Sequence, residues 1–149
     1  MPEDASLRAR LVAAALEWES RFSVAPAVTS AVSEYDAARL VGHTDESFSL
    51  DCRERTAVTR GCDFRHNGLR YQVKANRPSG KPGSFVTLVG KASNYEWDRL
   101  IWILYNSRYE LQEAWEWDVA TYRAEFHAKT RLAPADMRRG LRLFPRAAA

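Results

Sequence analysis

Apolar positions near the start of the chain recur at helical spacing. Leu7, Leu11, Ala14, Ala15 and Trp18, within the stretch Ala5 to Phe22, fall on one face of a helix. Ser23-Val24-Ala25-Pro26 ends it, and Pro26 suits the first turn of a second helix through Val32, Tyr35 and Leu40 that stops near Gly42. The period then shortens. Ser47 to Asp51 alternates as a short strand does, and charged Arg53-Glu54-Arg55 leads on toward Val58. From Gly61 to Lys74, GCDFRHNGLRYQVK alternates on both sides of Asn67-Gly68, the strongest short-range hairpin signal because a type I′ turn needs positive φ at both central residues.

Asn76 to Gly83 is rich in Pro, Gly and Ser and reads as a mobile loop; Phe85 to Val89 predicts one more short strand. Ser93-x-x-Glu96 has capping-box spacing and predicts a short helix feeding the apolar strand Leu100 to Tyr105. Asn106-Ser107 turns the chain into Tyr109 to Trp117, a second hairpin. Asp118 is placed to cap a helix carrying Tyr122 and Phe126, and Pro134 to start a last short one containing Met137 up to Gly140. No internal repeat or low-complexity segment interrupts the pattern. With 149 residues, 46% of them hydrophobic, the expectation is one α/β (α+β) domain over 1–149 with its own core.

Composition narrows the class. No apolar run approaches the ~20 residues that cross a bilayer, and the opening MPED does not read as a signal, so a soluble, cytoplasmic protein is expected. Cys52 and Cys62 are the only cysteines and lack a Cys-x-x-Cys or Cys/His pattern, which fits core or incidental thiols rather than a disulfide framework or zinc site. His43, His66 and His127 lack a partner pattern for nucleophilic catalysis or zinc ligation. The net charge of +3 is concentrated in the basic segment 127–149, where Lys129, Arg131, Arg138, Arg139, Arg142 and Arg146 face only Asp136. That segment reads either as a solvated tail or as a phosphate contact. The five tryptophans sit mostly in apolar strands and helix faces and read as core, with base stacking the alternative.

The Asn67-Gly68 turn sets a register in which His66 opposes Leu69, Arg65 opposes Arg70, Phe64 opposes Tyr71 and Asp63 opposes Gln72. One face of the hairpin then carries Cys62, Phe64, Tyr71, Val73 and Ala75, the other Asp63, Arg65, Arg70, Gln72 and Lys74. The first is a core face. The second is open to two readings: a solvated strand surface, or a site where the Asp63 carboxylate and the Gln72 carbonyl offer oxygen to one hard cation while the Lys74 ammonium reaches the same space.

Asp63 followed by Gln72-Val73-Lys74 on the next strand, between an upstream helix and a downstream helix and strand, resembles the PD-(D/E)xK nuclease superfamily over about Val28 to Trp117. The resemblance implies a restriction-endonuclease-like α-β-β-β-α-β core with a mixed central sheet flanked by helices. It implies a Mg²⁺ (or Mn²⁺) dependent DNA endonuclease, in which Asp63, Gln72 and Glu34 hold the metal and Lys74 orients the attacking water. Asp36 is the alternative to Glu34 on the same helix, as is an ordinary surface acid. Cys62 stands where many members have Pro, and Gln72 where most have an acid, which removes one negative charge from the site. Arg65, Arg70, Arg77, Lys81, Arg138, Arg139 and Arg142 are the candidate nucleic-acid contacts, and a homodimer would provide for cutting both strands. Two other readings remain: a nuclease-fold binding or regulatory module without turnover, and an interaction protein with a merely solvated polar face.

Overall fold

A computed structural model describes residues 3–55 and 61–146, with side chains from residue 7 onward; the expected approach to Val58 lies outside the described residues. Three helices come first, α1 (Glu3–Phe22), α2 (Thr29–Leu40) and α3 (Asp45–Glu54). The strands β1 (Phe64–His66), β2 (Leu69–Asn76), β3 (Arg99–Tyr105) and β4 (Leu111–Asp118) follow, then α4 (Val119–Phe126), α5 (Pro134–Met137) and β5 (Leu141–Phe144). The five strands form one mixed sheet in chain order, β2 and β3 parallel and every other neighbouring pair antiparallel.

Each face of the sheet buries its own apolar cluster. On one face Phe64, Tyr71, Val73, Ile101, Ile103 and Tyr105 pack against Val32, Ala37 and Ala38 of α2, with Val12 of α1 and Phe48 of α3 completing the layer. On the other, Leu100, Trp102 and Trp117 meet Trp97 from just before β3, Tyr122 and Phe126 of α4, and Met137 of α5. β3 feeds both clusters from alternate residues, which is why LIWILY is apolar throughout rather than alternating. Trp97, Trp102 and Trp117 are core as expected, whereas Trp18 is 54% exposed on the outer side of α1.

Four expectations fail locally. Ser47 to Asp51 is helical, not a strand: Thr44 caps α3 by accepting from the Ser47 N–H, Ser47 Oγ answers the Thr44 N–H, and Asp45 and Glu46 favour the positive helix start. Five alternating residues fit either period, and the cap decides. Ser93 to Glu96 forms a turn instead of a helix, because the Asn94 side chain accepts from the Glu96 N–H at 2.9 Å. Phe85 to Val89 forms no strand, and its one ladder contact is a single bridge from Val89 to Leu132. Residues 127–146 are not a solvated tail, since β5 adds to the sheet beside β4. The crossover from β2 to its parallel neighbour β3 therefore runs through 77–98 without a helix.

Candidate functional site

The hairpin forms at the expected turn, with positive φ at Asn67 and Gly68 and the pairs Phe64 with Tyr71, Arg65 with Arg70 and His66 with Leu69. Beyond Phe64 the register departs from expectation. The Asp63 N–H reaches the Tyr71 carbonyl at 2.7 Å although Phe64 is already the partner of Tyr71, so two residues of this edge oppose one of β2, as in a β-bulge. Asp63 is consequently not opposite Gln72. A one-residue slip also exchanges faces, and Cys62 packs with the second apolar cluster instead of joining Phe64 and Tyr71 in the first.

The bulge gives Asp63 a defined job. Its Oδ2 accepts the Val73 N–H at 2.7 Å, satisfying an edge donor of β2 where β1 has ended and fixing the carboxylate at that edge. The first turns of α2 approach the same opening. Between them lies a polar cavity of about 280 Å³ lined by Thr29, Ser30, Ser33 and Glu34 of α2, by Asp63, and by Gln72 to Ala75 of β2. Glu34, Asp63, Gln72 and Lys74 thus meet in one cavity although 40 positions separate the first from the last. The Lys74 stem runs past the crossover, its Cδ 3.6 Å from where a Cβ on Gly90 would stand.

Electrostatically the two acids are in conflict. Burial, then the charge and hydrogen bonding of Asp63, push the Glu34 carboxyl up to about 7, against a smaller opposing pull from Arg55. Arg55, at the end of α3, has a buried Nε with no hydrogen-bond partner, 3.9 Å from the Asp51 carboxylate. It is a site neighbour that sequence reasoning missed, as are the hydroxyls of Thr29, Ser30 and Ser33. The polar side of α2, Thr29-Ser30-x-x-Ser33-Glu34, was the available signal for the hydroxyls; Arg55 carried none. Among the described residues no group of three or more His, Cys, Asp or Glu is placed to hold a metal ion, as follows from Gln72 standing where a third acid would complete the set.

No protein-family model matches the chain, and no curated protein matches its sequence.

The remaining candidates scatter. Asp36, the alternative to Glu34, is absent from the cavity lining: its carboxylate accepts two bonds from Arg8 at 2.7 Å and the Tyr105 hydroxyl. Arg77 is almost completely buried, 5% exposed, bound to Glu19 and the Ser107 carbonyl and lying 4.4 Å above the Tyr109 ring. It ties α1 to the sheet. Arg65 pairs with Asp51, Arg70 with Asp98, Arg138 with Glu113 and Arg139 with Glu125, each charge offset by an acid. Arg142 lies over the Trp115 ring at 6.0 Å. Lys81 differs from the paired arginines, since its Nζ donates to the Ser23 carbonyl at 2.9 Å.

Proposed function

We propose that the chain is a divalent-metal-dependent nuclease of the PD-(D/E)xK type that hydrolyses phosphodiester bonds in DNA. The observation that carries this reading is the convergence of Glu34, Asp63, Gln72 and Lys74 on one polar cavity at an open strand edge. The donor set fits a hard cation: a Glu34 carboxyl pushed up to about 7 by burial and then by Asp63 is relieved by positive charge between the two acids, and the Gln72 carbonyl adds a neutral oxygen. Mg²⁺ or Mn²⁺ held by Asp63, Glu34 and Gln72 would polarise the scissile phosphate and lower the pKa of water.

The chain's own residues supply the rest. The Val73 N–H keeps the Asp63 carboxylate in one orientation, so little reorganisation is needed at the moment of reaction. Lys74, on the strand face shared with Trp102 and in the lining of the same cavity, would bring an ammonium to the charge that grows on the phosphate oxygens. The Thr29 and Ser30 hydroxyls offer hydrogen bonds to a phosphate entering along α2.

A specific observation favours a second reading. With Gln72 in place of an acid and no cluster of three acidic or imidazole ligands among the described residues, the site carries less negative charge than a strong metal centre, which suits a nucleic-acid-binding module without turnover. Plasmid nicking with and without Mg²⁺ or Mn²⁺ separates the two. Metal-dependent cleavage by the wild type, lost in Asp63→Ala and Lys74→Ala, is expected; a folded wild type that cuts neither duplex, branched nor single-stranded DNA would overturn the nuclease reading.

A further inference from the structure

The crossover between β2 and β3 is the least conventional part of the fold, and its charge is one-sided. From Lys74 to Tyr95 the chain holds four cations, Lys74, Arg77, Lys81 and Lys91, and no acid. Arg77 is internal and paired, but the lysines are not neutralised in the same way. The Lys91 ammonium donates to the backbone carbonyls of His127 and Lys129 at 2.8 and 2.7 Å. Lys81 donates to the Ser23 carbonyl, and the acid that feels its charge, Glu19, already carries the Arg77 guanidinium. Both lysines are therefore held in place by neutral oxygens while their charge stays available.

Between them the strap presents two apolar side chains to solvent. Phe85 is 81% exposed, more than any other large hydrophobic residue of the described chain, and Leu88 is 52% exposed. The backbone on either side is fastened: Ser84 N–H donates to the Lys81 carbonyl, Asn76 Nδ2 to the Leu88 carbonyl at 3.0 Å, and Val89 N–H to the Leu132 carbonyl at 2.9 Å. Phe85 is thus an aromatic ring displayed on an anchored strap. Gly90 of the same strap faces the Lys74 stem, whose Cδ is 3.6 Å from where a Cβ on Gly90 would stand, and the five residues from Gly90 back to Phe85 span at most about 17 Å of extended chain. Phe85 is therefore separated from the residue beside the Lys74 stem by no more than about 17 Å of chain.

We propose that this strap is the surface along which the substrate strand lies, and that Phe85 stacks on an unpaired base, so that single-stranded or frayed DNA is taken in preference to intact duplex. The substrate class rests on the nuclease reading; the binding physics does not. Protein-binding patches are depleted of lysine at their centres, whereas a lysine-flanked aromatic in a segment without acids has the make-up of single-strand binders, in which cations track the backbone and rings stack on bases. In a duplex each base already stacks on its neighbours, and a ring gains a π-face only after unstacking.

The test is equilibrium binding by fluorescence anisotropy, without divalent ions so that nothing is cut, of a labelled 20-nucleotide oligothymidine and of a mixed-sequence duplex. The wild type is expected to favour the single strand. Phe85→Ala should weaken that binding about tenfold, with duplex binding and the salt slope unchanged, and Phe85→Trp should retain it. Lys81→Gln should instead lower the salt slope by about 0.7. The proposal is overturned if the wild type shows no salt-dependent binding, if Phe85→Ala binds as tightly as the wild type, or if it weakens single strand and duplex equally. Metal-dependent nicking alongside an inert Phe85→Ala would sink the strap and leave the site reading intact. A Phe85 effect without nicking would do the reverse.

Discussion

Replacing Glu34 by Gln should make the metal-free protein more stable at pH 8 while removing its activity. The Glu34 carboxyl is held near 7 in the folded chain by burial and by Asp63, against an ordinary value of 4.5. Below about pH 4.5 the group is protonated in both folded and unfolded chains and contributes nothing. Between 4.5 and 7 the folded chain binds the extra proton, so stability falls as pH rises; above 7 the full cost of ionising beside Asp63 is present. A difference of that size corresponds to at most about 3 kcal/mol, and because the cavity opens to solvent, screening reduces it to about 1–2 kcal/mol. Gln keeps the shape, donates an N–H toward Asp63 and never ionises. Urea unfolding without divalent ions should therefore show Glu34→Gln about 1–2 kcal/mol more stable than wild type at pH 8, and equal to it near pH 4.5. Added Mg²⁺ should narrow the gap at pH 8 by stabilising the wild type, since a ligand that binds only the folded state adds RT ln(1 + [L]/Kd). A variant no more stable than wild type at pH 8, or one whose gain does not change with pH, would refute the argument that burial and Asp63 together oppose the ionisation of Glu34.

Arg77→Met should cost about 3 kcal/mol in thermal or urea unfolding, because it leaves the Glu19 carboxylate and the Ser107 carbonyl without their guanidinium partner; a folded, fully stable variant with weakened DNA binding would instead make Arg77 a substrate contact. Gly68→Ala should lower stability by about 1–2 kcal/mol through backbone strain alone, since φ there is +77° and an added Cβ meets nothing within 4 Å. A melting temperature unchanged by that substitution would mean that the hairpin turn tolerates a different geometry.

Much of the candidate site is legible in the sequence. Asn67-Gly68 specified a two-residue turn, the turn specified which residues pair, and alternation put Gln72 and Lys74 on one face of β2; these are local consequences of backbone sterics. Asp63 was found by the same reasoning with the wrong geometry, because a bulge costs little locally and leaves no mark in the pattern of apolar residues. Its purpose, satisfying the Val73 N–H where β1 ends, exists only once the strands are paired. The apolar strand Leu100 to Tyr105 and its antiparallel hairpin partner are likewise legible and form as β3 and β4, but nothing local marks β2 as the parallel neighbour on the other side.

What the chain settled by itself is whatever depends on neighbours in sequence: the first two helices, the hairpin and its turn, the Asp118 cap of α4, the Pro134 start of α5. Tertiary structure decided what depends on distant partners. It turned an alternating segment into α3 and added β5 to the sheet. It separated Glu34 from Asp36, two residues apart on one helix, by facing one into the polar cavity and binding the other to Arg8 and Tyr105. It also divided the arginines, identical as letters, into those paired with acids and those not, because the free energy of a charge depends on what packs around it and sequence spacing does not record that.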